Sequence, residues 1–352
     1  RRGVSPIPDR DSKKNESVKN RLIAMGSDLV QLPESVPLLI EYGDGIELFA
    51  RKDCESRAKT VLNSIRQHIA EKYGFVMPAF SLRLNSSLKP DIYRLVIHGG
   101  IVCPFGKLEA KDCDAIIEKR LISLISNHLH DIFDLAALES LIEQAKKEHG
   151  YIVEEATAVL MGMAPLMSLF KSILEEKISI RRVDAILAAV AGQSRISCTT
   201  HCLFTAARSA IGRQICSPFL DNFGVLNVIS LDPSVENDLN QKIIDEDQKS
   251  QFNCTLDYAL KLQETIGNAV DNFTNTGNRP VLLVGDKIRG PLRQLSQRKI
   301  PDLTVLGYSD IPVDYPLNAH FIISDLKPDT VRLSGKDAKE IYDQAKKNSK
   351  SV

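Results

Sequence analysis

The sequence predicts an α+β protein in which small α/β subdomains surround a central, helical subdomain of winged-helix-like type. Its 352 residues exceed the length that one hydrophobic core usually spans, which favours two to four small domains. Alternating apolar segments typical of strands and longer segments with helical spacing follow one another towards both ends of the chain. The middle of the chain, in contrast, carries mainly helical spacing and ends in one short strand.

Two apolar stripes with helical spacing lie close together in the middle of the chain. The first comprises Leu166, Leu169, Phe170, Ile173 and Leu174, and the second comprises Val183, Ile186, Leu187 and Val190. The turn between them contains two β-branched residues and Ser179, which is placed to cap the second helix. The pattern predicts a helix-turn-helix. Such a unit is either a packing element or a DNA-binding one, and Arg181 and Arg182 are its only positive charges for DNA recognition.

Composition limits the classes of partner. Lys plus Arg and Asp plus Glu both number 45, so no net charge favours nucleic acid or an acidic membrane surface, and the partners should be proteins. Hydrophobic residues make up 43% of the chain without an apolar run long enough to span a membrane. Seven scattered cysteines fit no disulfide framework and indicate reduced thiols in a cytoplasmic setting.

No sequence motif indicates catalysis or a cofactor. The glycines at 285 and 290 lack the spacing of a phosphate-binding loop, and neither a GxSxG nor an HExxH motif occurs. Cys198, His201 and Cys202 share one helical turn, but a structural zinc site needs a fourth ligand that the sequence does not offer. Four aspartates flank turns and strand ends, where this residue commonly caps: Asp302, Asp310, Asp314 and Asp325. We therefore expect no catalytic, cofactor-binding or metal-binding residues and no enzymatic activity.

The first third of the chain predicts a linker followed by a small α+β subdomain. Residues 1–35 are rich in charge, Ser and Pro, which indicates a linker. Its apolar patch at residues 18–29 suggests docking on a neighbouring subunit or partner, and the alternative is a linker that is merely disordered. Residues 36–99 and 116–135 together form the discontinuous first subdomain. Its predicted elements are two strands around a Gly-Asp-Gly turn in 37–49, a helix in 53–74, two strands in 75–97 and a helix in 116–133.

Beyond this subdomain the chain predicts three further regions and a tail. They are a shortened insert of a second subdomain at 100–115, a helical third subdomain at 136–230, a fourth α/β subdomain at 231–326 and a charged tail at 327–352. In the third subdomain, helices at 135–155 and 200–215 flank the helix-turn-helix, and residues 225–231 predict a β wing. In the fourth, strands alternate with helices, which indicates a small α/β sandwich.

Several of these segments resemble the export-gate family of type III secretion systems, known as FlhA or SctV and as the FHIPEP family. Residues 174–187 follow the family pattern, with Arg181 on the family's Arg and Arg182 in place of its Asp. The most specific match lies in Gly74, Phe75, Pro78, Arg83, Asn85, Leu88, Pro90, Tyr93, Arg94 and Gly99. The resemblance covers nearly all of residues 36–325, with a gap at 100–120 where two family motifs of the second subdomain are missing.

The resemblance implies the soluble, cytoplasmic part of a bacterial inner-membrane export gate that serves protein secretion in flagellum biogenesis or virulence. It implies a homo-oligomeric ring, nonameric in known members, that docks secretion chaperones with their cargo. Gatekeeper and ATPase stalk proteins are further implied partners, and no cofactor is implied. A transmembrane half should precede Arg1. The helix-turn-helix by itself supports an alternative, a winged-helix regulator that binds nucleic acid.

The resemblance also places candidate contact residues. Self-association through the third subdomain makes four arginines interface candidates: Arg181, Arg182, Arg208 and Arg213. In related proteins, chaperones dock in an apolar dimple between the first two subdomains, and this chain lacks the motifs that build it. The nearest apolar replacements are Phe80, Tyr93, Cys103, Pro104 and Phe105. We expect Phe105 and its neighbours to form a reduced docking site; the alternative is that recognition has moved to another surface, such as the cleft facing the last subdomain.

Overall fold

The computed structural model describes residues 36–108, 114–160, 162–194, 199–246 and 249–324. The predictions for the linker 1–35, the charged tail 327–352 and Cys198 lie outside these residues. The described part mixes helices and small sheets around a central group of helices, as the sequence predicts.

The first sheet contains five short strands: β1 (Leu38–Tyr42), β2 (Ser81–Leu84), β3 (Ile92–Ile97), β4 (Gly100–Ile101) and β5 (Gly106–Lys107). Their order is β2-β1-β3-β4, and β5 also pairs with β3. β1 runs parallel to β2 and antiparallel to β3. Side chains alternate along a strand, so Leu38, Ile40 and Tyr42 enter the core while Leu39 and Glu41 face the outer side of the sheet.

Only one of the two strands predicted for residues 37–49 forms. After the Gly-Asp-Gly turn the chain enters the short helix α1 (Glu47–Ala50), which buries Leu48 and Phe49. A Cβ on Gly43 would lie 2.1 Å from the carbonyl oxygen of Lys89, so this turn packs directly against the connection between β2 and β3. The apolar residues after the turn therefore bury as a helical turn against the next helix, α2 (Glu55–Tyr73), rather than as a second strand.

The central helices are α3 (Asp114–Ser126), α4 (Leu129–Ile132), α5 (Leu135–Val159), α6 (Met163–Glu175), α7 (Val183–Ser194), α8 (Thr200–Ala210) and α9 (Gly212–Cys216). The helix-turn-helix prediction is confirmed, because both apolar stripes are buried on α6 and α7. Within the described residues no single helix has both the length and the apolarity of a membrane span. The helices Leu135–Ala158 and Met163–Glu175, bent by 106° at their junction, meet that test of length and composition only as a pair.

The last sheet is parallel and is built from β6 (Leu226–Leu231), β9 (Val281–Val284), β10 (Thr304–Gly307) and β11 (Leu317–Ile323), in the order β10-β9-β6-β11. The remaining elements are the hairpin β7 (Ile243–Glu246) and β8 (Lys249–Phe252) and the helices α10 (Pro233–Gln241), α11 (Leu256–Thr274) and α12 (Asp286–Ser296). The segment predicted as a wing is β6, and it pairs with β9 and β11 inside this sheet. Its apolar residues are buried on both faces, which is typical of a central parallel strand.

Two hydrophobic cores meet at the last sheet. Val228 of β6 belongs to a core that also contains the central helices and the first sheet, whereas Ile229 belongs to a second core with α11 and α12. Adjacent residues of β9 alternate in the same way, Val281 on the first core and Leu282 on the second. The first core is therefore continuous across the first and third predicted subdomains, and the subdomain boundaries stay a prediction.

Candidate functional site

A carboxylate lies between two arginines on the outer face of the first sheet. The strand register places Glu41 of β1 beside Arg83 of β2 and Arg94 of β3. Arg83 Nε donates a hydrogen bond of 2.9 Å to Glu41 Oε1, and Asn85 Nδ2 donates one of 3.0 Å to Oε2. Arg94 Nε also donates to Oε2. We call these four residues the Glu41 cluster.

The electrostatics of the Glu41 cluster keep a buried carboxylate ionised. Glu41 is only 2% exposed, and burial raises its pKa. Hydrogen bonds from Arg83, Asn85 and Arg94 outweigh burial, so the pKa of Glu41 lies below its ordinary value. The Arg83 side chain is 63% exposed. The cluster thus holds partly accessible guanidinium groups in fixed positions, an arrangement suited to recognising a polar partner.

An apolar patch lies beside this cluster. Phe105 is 43% exposed and Ile101 is 50% exposed, and Cys103 and Pro104 between them are also exposed. The Phe105 ring centroid lies 5.7 Å from Arg94 Cζ, a cation–π contact that joins the patch to the Glu41 cluster. We call these four residues the docking patch. It combines exposed apolar area with nearby charge, as protein interfaces do.

Two predicted docking residues do not belong to this patch. Tyr93 is 2% exposed and lies in the first core. Successive side chains of β3 point to opposite faces of the sheet, so Tyr93 faces the core and Arg94 faces the outer side. A Cβ on Gly106 would lie 2.0 Å from Tyr93 Cζ, so this glycine lets β5 close over the ring. Phe80 is half-buried and packs against the same core. Tyr93 is therefore a core residue rather than a docking residue.

Three of the four predicted interface arginines are exposed. Arg182 donates to Asp184 at 3.0 Å, and Arg213 donates to Asp314 at 2.8 and 2.9 Å. Both arginines line one pocket of about 390 Å³, which the fully exposed Val313 also lines. Arg181 instead packs its stem on the end of α2, where a Cβ on residue 74 would lie 2.6 Å from Arg181 Cγ.

The fourth arginine, Arg208, is buried inside the chain. It is 1% exposed, and its guanidinium donates to Asp310 at 3.0 Å from Nε and at 2.7 Å from Nη2. Its Nη1 donates to Glu176, whose other oxygen accepts a hydrogen bond of 2.7 Å from Arg289. We call these four residues the Arg208 cluster. Arg208 cannot offer its guanidinium to another subunit, so the interface prediction is wrong for this residue.

The Arg208 cluster joins the central helices to the last sheet. Glu176 follows α6, Arg208 lies on α8, Arg289 lies on α12, and Asp310 follows β10. Burial by itself raises the pKa of Glu176, but the neighbouring guanidinium groups of Arg208 and Arg289 lower it by more. The pKa therefore lies below its ordinary value, and Glu176 is ionised. The sequence did not reveal this cluster, because Asp310 has the spacing of a turn cap and Glu176 lies on an otherwise solvated turn. The four charged residues are far apart in sequence, so no short segment of the chain shows that they pair.

The second helix of the helix-turn-helix presents no cationic face. On α7 the residues turned away from the core include Asp184, Ala188, Ala189, Gly192 and Gln193, and none of these is a cation. Among the described residues, no group of three His, Cys, Asp or Glu side chains is placed to hold a metal ion.

Comparison with known proteins places the chain in a family. Residues 105–315 match the model of the FHIPEP family. The chain is 25% identical over 365 residues to the flagellar biosynthesis protein FlhA of Borreliella burgdorferi, an alignment that covers 90% of this chain and 52% of that protein. The chain spans about half the length of the curated relatives it matches.

The fold is similar to two solved structures. It matches a chain in the complex of the Chlamydia pneumoniae proteins CdsV and CdsO with a TM-score of 0.70 and 19% identity, covering 82% of this chain and 98% of that one. It matches the nonameric EPEC SctV-C with a TM-score of 0.68 and 15% identity, covering 84% and 99%. Because the family model covers more than half of its residues, this chain belongs to the FHIPEP family, the type III secretion export-gate family of FlhA and SctV.

Proposed function

We propose that the chain is the cytosolic domain of the export gate of a bacterial type III secretion system, on the cytoplasmic side of the inner membrane. It acts by binding proteins and not by catalysis. The observation that carries this proposal is membership of the FHIPEP family together with a fold shared with SctV-C over 84% of the chain. A membrane-anchored half belongs to the same proposal, because the chain covers only 52% and 49% of two curated FlhA relatives.

The chain assembles into a ring in this proposal, as the nonameric SctV-C does. The pocket lined by Arg182, Arg213 and Val313 supports self-association through this part of the molecule. Val313 is a fully exposed apolar residue, and the ion pairs around it form a polar rim. Exposed ion pairs contribute little by themselves, so the apolar centre would supply most of the interface energy.

Charge reversal tests the ring. We expect the double variant Arg182→Glu with Arg213→Glu to sediment as a monomer under conditions in which the unchanged chain assembles, because the new carboxylates repel Asp184 and Asp314 and leave the rim acidic. Lys261→Glu on α11 is the matched control and should assemble normally. Equal sedimentation coefficients for the double variant and the unchanged chain would remove this interface.

Chaperone and cargo complexes dock on the docking patch in this proposal, with the Glu41 cluster as its polar rim. Support comes from the exposure of Phe105 and Ile101 beside guanidinium groups that are already held in position. Preorganised groups lower the entropy lost on binding. The structurally similar CdsV is found in a complex with CdsO, which supports an ATPase stalk protein as partner. A gatekeeper protein belongs to the same proposal.

A further inference from the structure

A second cleft, remote from the docking patch, concentrates positive charge. It has a volume of about 930 Å³ and lies between the C-terminal end of α2, the turn between α6 and α7, and strand β10 of the last sheet. Six cationic side chains line it: Lys72, Lys177, Arg181, Arg182, Arg279 and Arg293. They come from three parts of the chain that are far apart in sequence. Only the fold brings them to one cleft, which we call the cationic cleft.

The carboxylates of the cationic cleft do not balance these charges. Glu176 and Asp302 are its two acidic residues. Both oxygens of Glu176 already accept hydrogen bonds from arginines of the Arg208 cluster. Among the described residues, no carboxylate lies within ion-pair distance of Lys177, Arg181 or Arg279. The cleft therefore keeps several cations close together without a matching set of anions.

The backbone conformation at Lys177 is a second observation that points to a binding role for this side chain. Lys177 has a φ of +58°, the left-handed conformation that favours glycine or asparagine. Its N–H donates to the carbonyl of Leu174 at 2.9 Å, and the N–H of Ile178 donates to that of Ile173 at 3.2 Å, which is the Schellman end of α6. A glycine would close this helix with less strain. A lysine at such a position lowers stability, which is expected where the side chain has a binding role.

The charges around Lys177 also favour a binding role for its side chain. Burial lowers the pKa of Lys177, and the neighbouring cations Arg293 and Lys72 lower it further against the opposing effect of Asp302. The protonated amine of this exposed lysine thus lies among like charges. A bound anion would relieve this repulsion, because it lies close to several cations at once.

The shape of the cationic cleft favours a peptide over a small anion. β10 is the edge strand of the last sheet, but Val305 and Leu306 on it are 1% and 0% exposed, so its backbone edge is covered and a ligand would meet side chains. Ile178, Ile215, Pro218, Phe219 and Leu303 also line the cleft and give it an apolar floor. A phosphate group would use the cations but not the floor.

We propose that the cationic cleft binds an acidic peptide segment of a partner protein, with its carboxylates on Lys177, Arg181 and Arg279 and its apolar side chains on the floor. The two ends of this chain do not fit that description, since residues 1–35 and 325–352 each contain more Lys and Arg than Asp and Glu. The inference goes beyond the proposed function, because it concerns a bound peptide and requires neither the ring nor the docking patch. Arg182 lines both the ring pocket and this cleft, so the peptide is assigned to the other cations.

Two labelled ten-residue peptides test this proposal. One alternates Glu with Leu, and the other replaces every Glu with Gln. By fluorescence anisotropy with the 352-residue chain, we expect the Glu peptide to bind at least about tenfold more tightly than the Gln peptide, and its affinity to fall with added salt. Equal affinities for the two peptides would overturn the proposal. So would displacement of the Glu peptide by equimolar tripolyphosphate, which would identify a site for small anions.

Variants at Lys177 separate binding from folding. Lys177→Gly and Lys177→Asn remove the charge and suit the left-handed backbone, so we expect an unchanged or higher Tm together with about tenfold weaker binding of the Glu peptide. Lys177→Arg should retain binding. Lys261→Gln on α11 removes the same charge outside the cleft and should bind the peptide normally. Unchanged peptide affinity in Lys177→Gly and Lys177→Asn would show that the cleft is not the site.

Discussion

The molecule holds two ionic clusters that share a plan and differ in their surroundings. In the Glu41 cluster one carboxylate lies between Arg83 and Arg94 on the outer face of a sheet, and the Arg83 side chain is 63% exposed. In the Arg208 cluster the side chains of Arg208 and Asp310 are 1% and 2% exposed. The exposed arginine can add a hydrogen bond to another protein while it stays paired with Glu41, whereas the buried one can reach no further partner. The first cluster therefore suits recognition, and the second fixes the last sheet to the central helices.

Removing Arg208 should have the largest effect on stability. Arg208→Ala leaves Asp310 buried without its cation, while Glu176 keeps only Arg289, so we expect the free energy of unfolding to fall by about 3–5 kcal/mol. Urea denaturation followed by circular dichroism measures this. Arg213→Ala is the matched control, since its pair with Asp314 is exposed and should contribute at most about 1 kcal/mol. Similar losses in the two variants would show that burial does not distinguish the clusters.

Neutralising the carboxylate of the Glu41 cluster should have a smaller effect. Glu41→Gln keeps the shape of the side chain but weakens the hydrogen bonds from three donors, and Arg83 can turn to solvent. We expect a loss of about 1–3 kcal/mol in the same urea experiment. A loss as large as that of Arg208→Ala would mean that the arginines of the first sheet are as confined as those of the buried cluster.

The two clusters should also make the free energy of unfolding depend on pH under acidic conditions. The pKa values of Glu41 and Glu176 are lowered from 4.5. A carboxylate with a lowered folded-state pKa contributes stability that is fully present above its unfolded pKa and is lost as pH falls through its folded pKa. We expect the free energy of unfolding to decline below about pH 4.5. In Glu41→Gln the decline should be shallower, and an unchanged slope would contradict the assignment.

The smallest effect on stability is expected in the docking patch. Phe105→Ala shortens a side chain that is 43% exposed, so the free energy of unfolding should change by only about 0.5–1 kcal/mol. Calorimetric titration with a secretion chaperone should nevertheless show weaker binding, because exposed aromatic residues anchor interfaces.

Phe223→Ala is the matched control for this variant, because Phe223 is 90% exposed outside the patch. It should bind the chaperone as the unchanged chain does. Unchanged affinity in Phe105→Ala would place chaperone docking on another surface.

Sequence patterns predicted elements well where one short segment holds the whole signal. The two stripes of the helix-turn-helix are such a case, because apolar spacing over a few turns reports directly which face is buried. The turn after β1 shows the limit of this reasoning. Residues 46–49 are apolar enough for a strand, but the contact of Gly43 with Lys89 directs the chain into α1. That contact joins residues far apart in sequence.

The sequence by itself determined the mixed α+β class, the apolar helical stripes and the family resemblance, since each depends on local spacing or on matching residues. Only the tertiary structure decided the roles of individual side chains. Arg208 and Arg213 are five residues apart on successive helices, yet one is buried between two carboxylates and the other pairs in solvent. Tyr93 and Arg94 are neighbours that face opposite sides of a sheet. The physical reason is that burial and charge pairing depend on what packs across a side chain, and those partners come from distant segments.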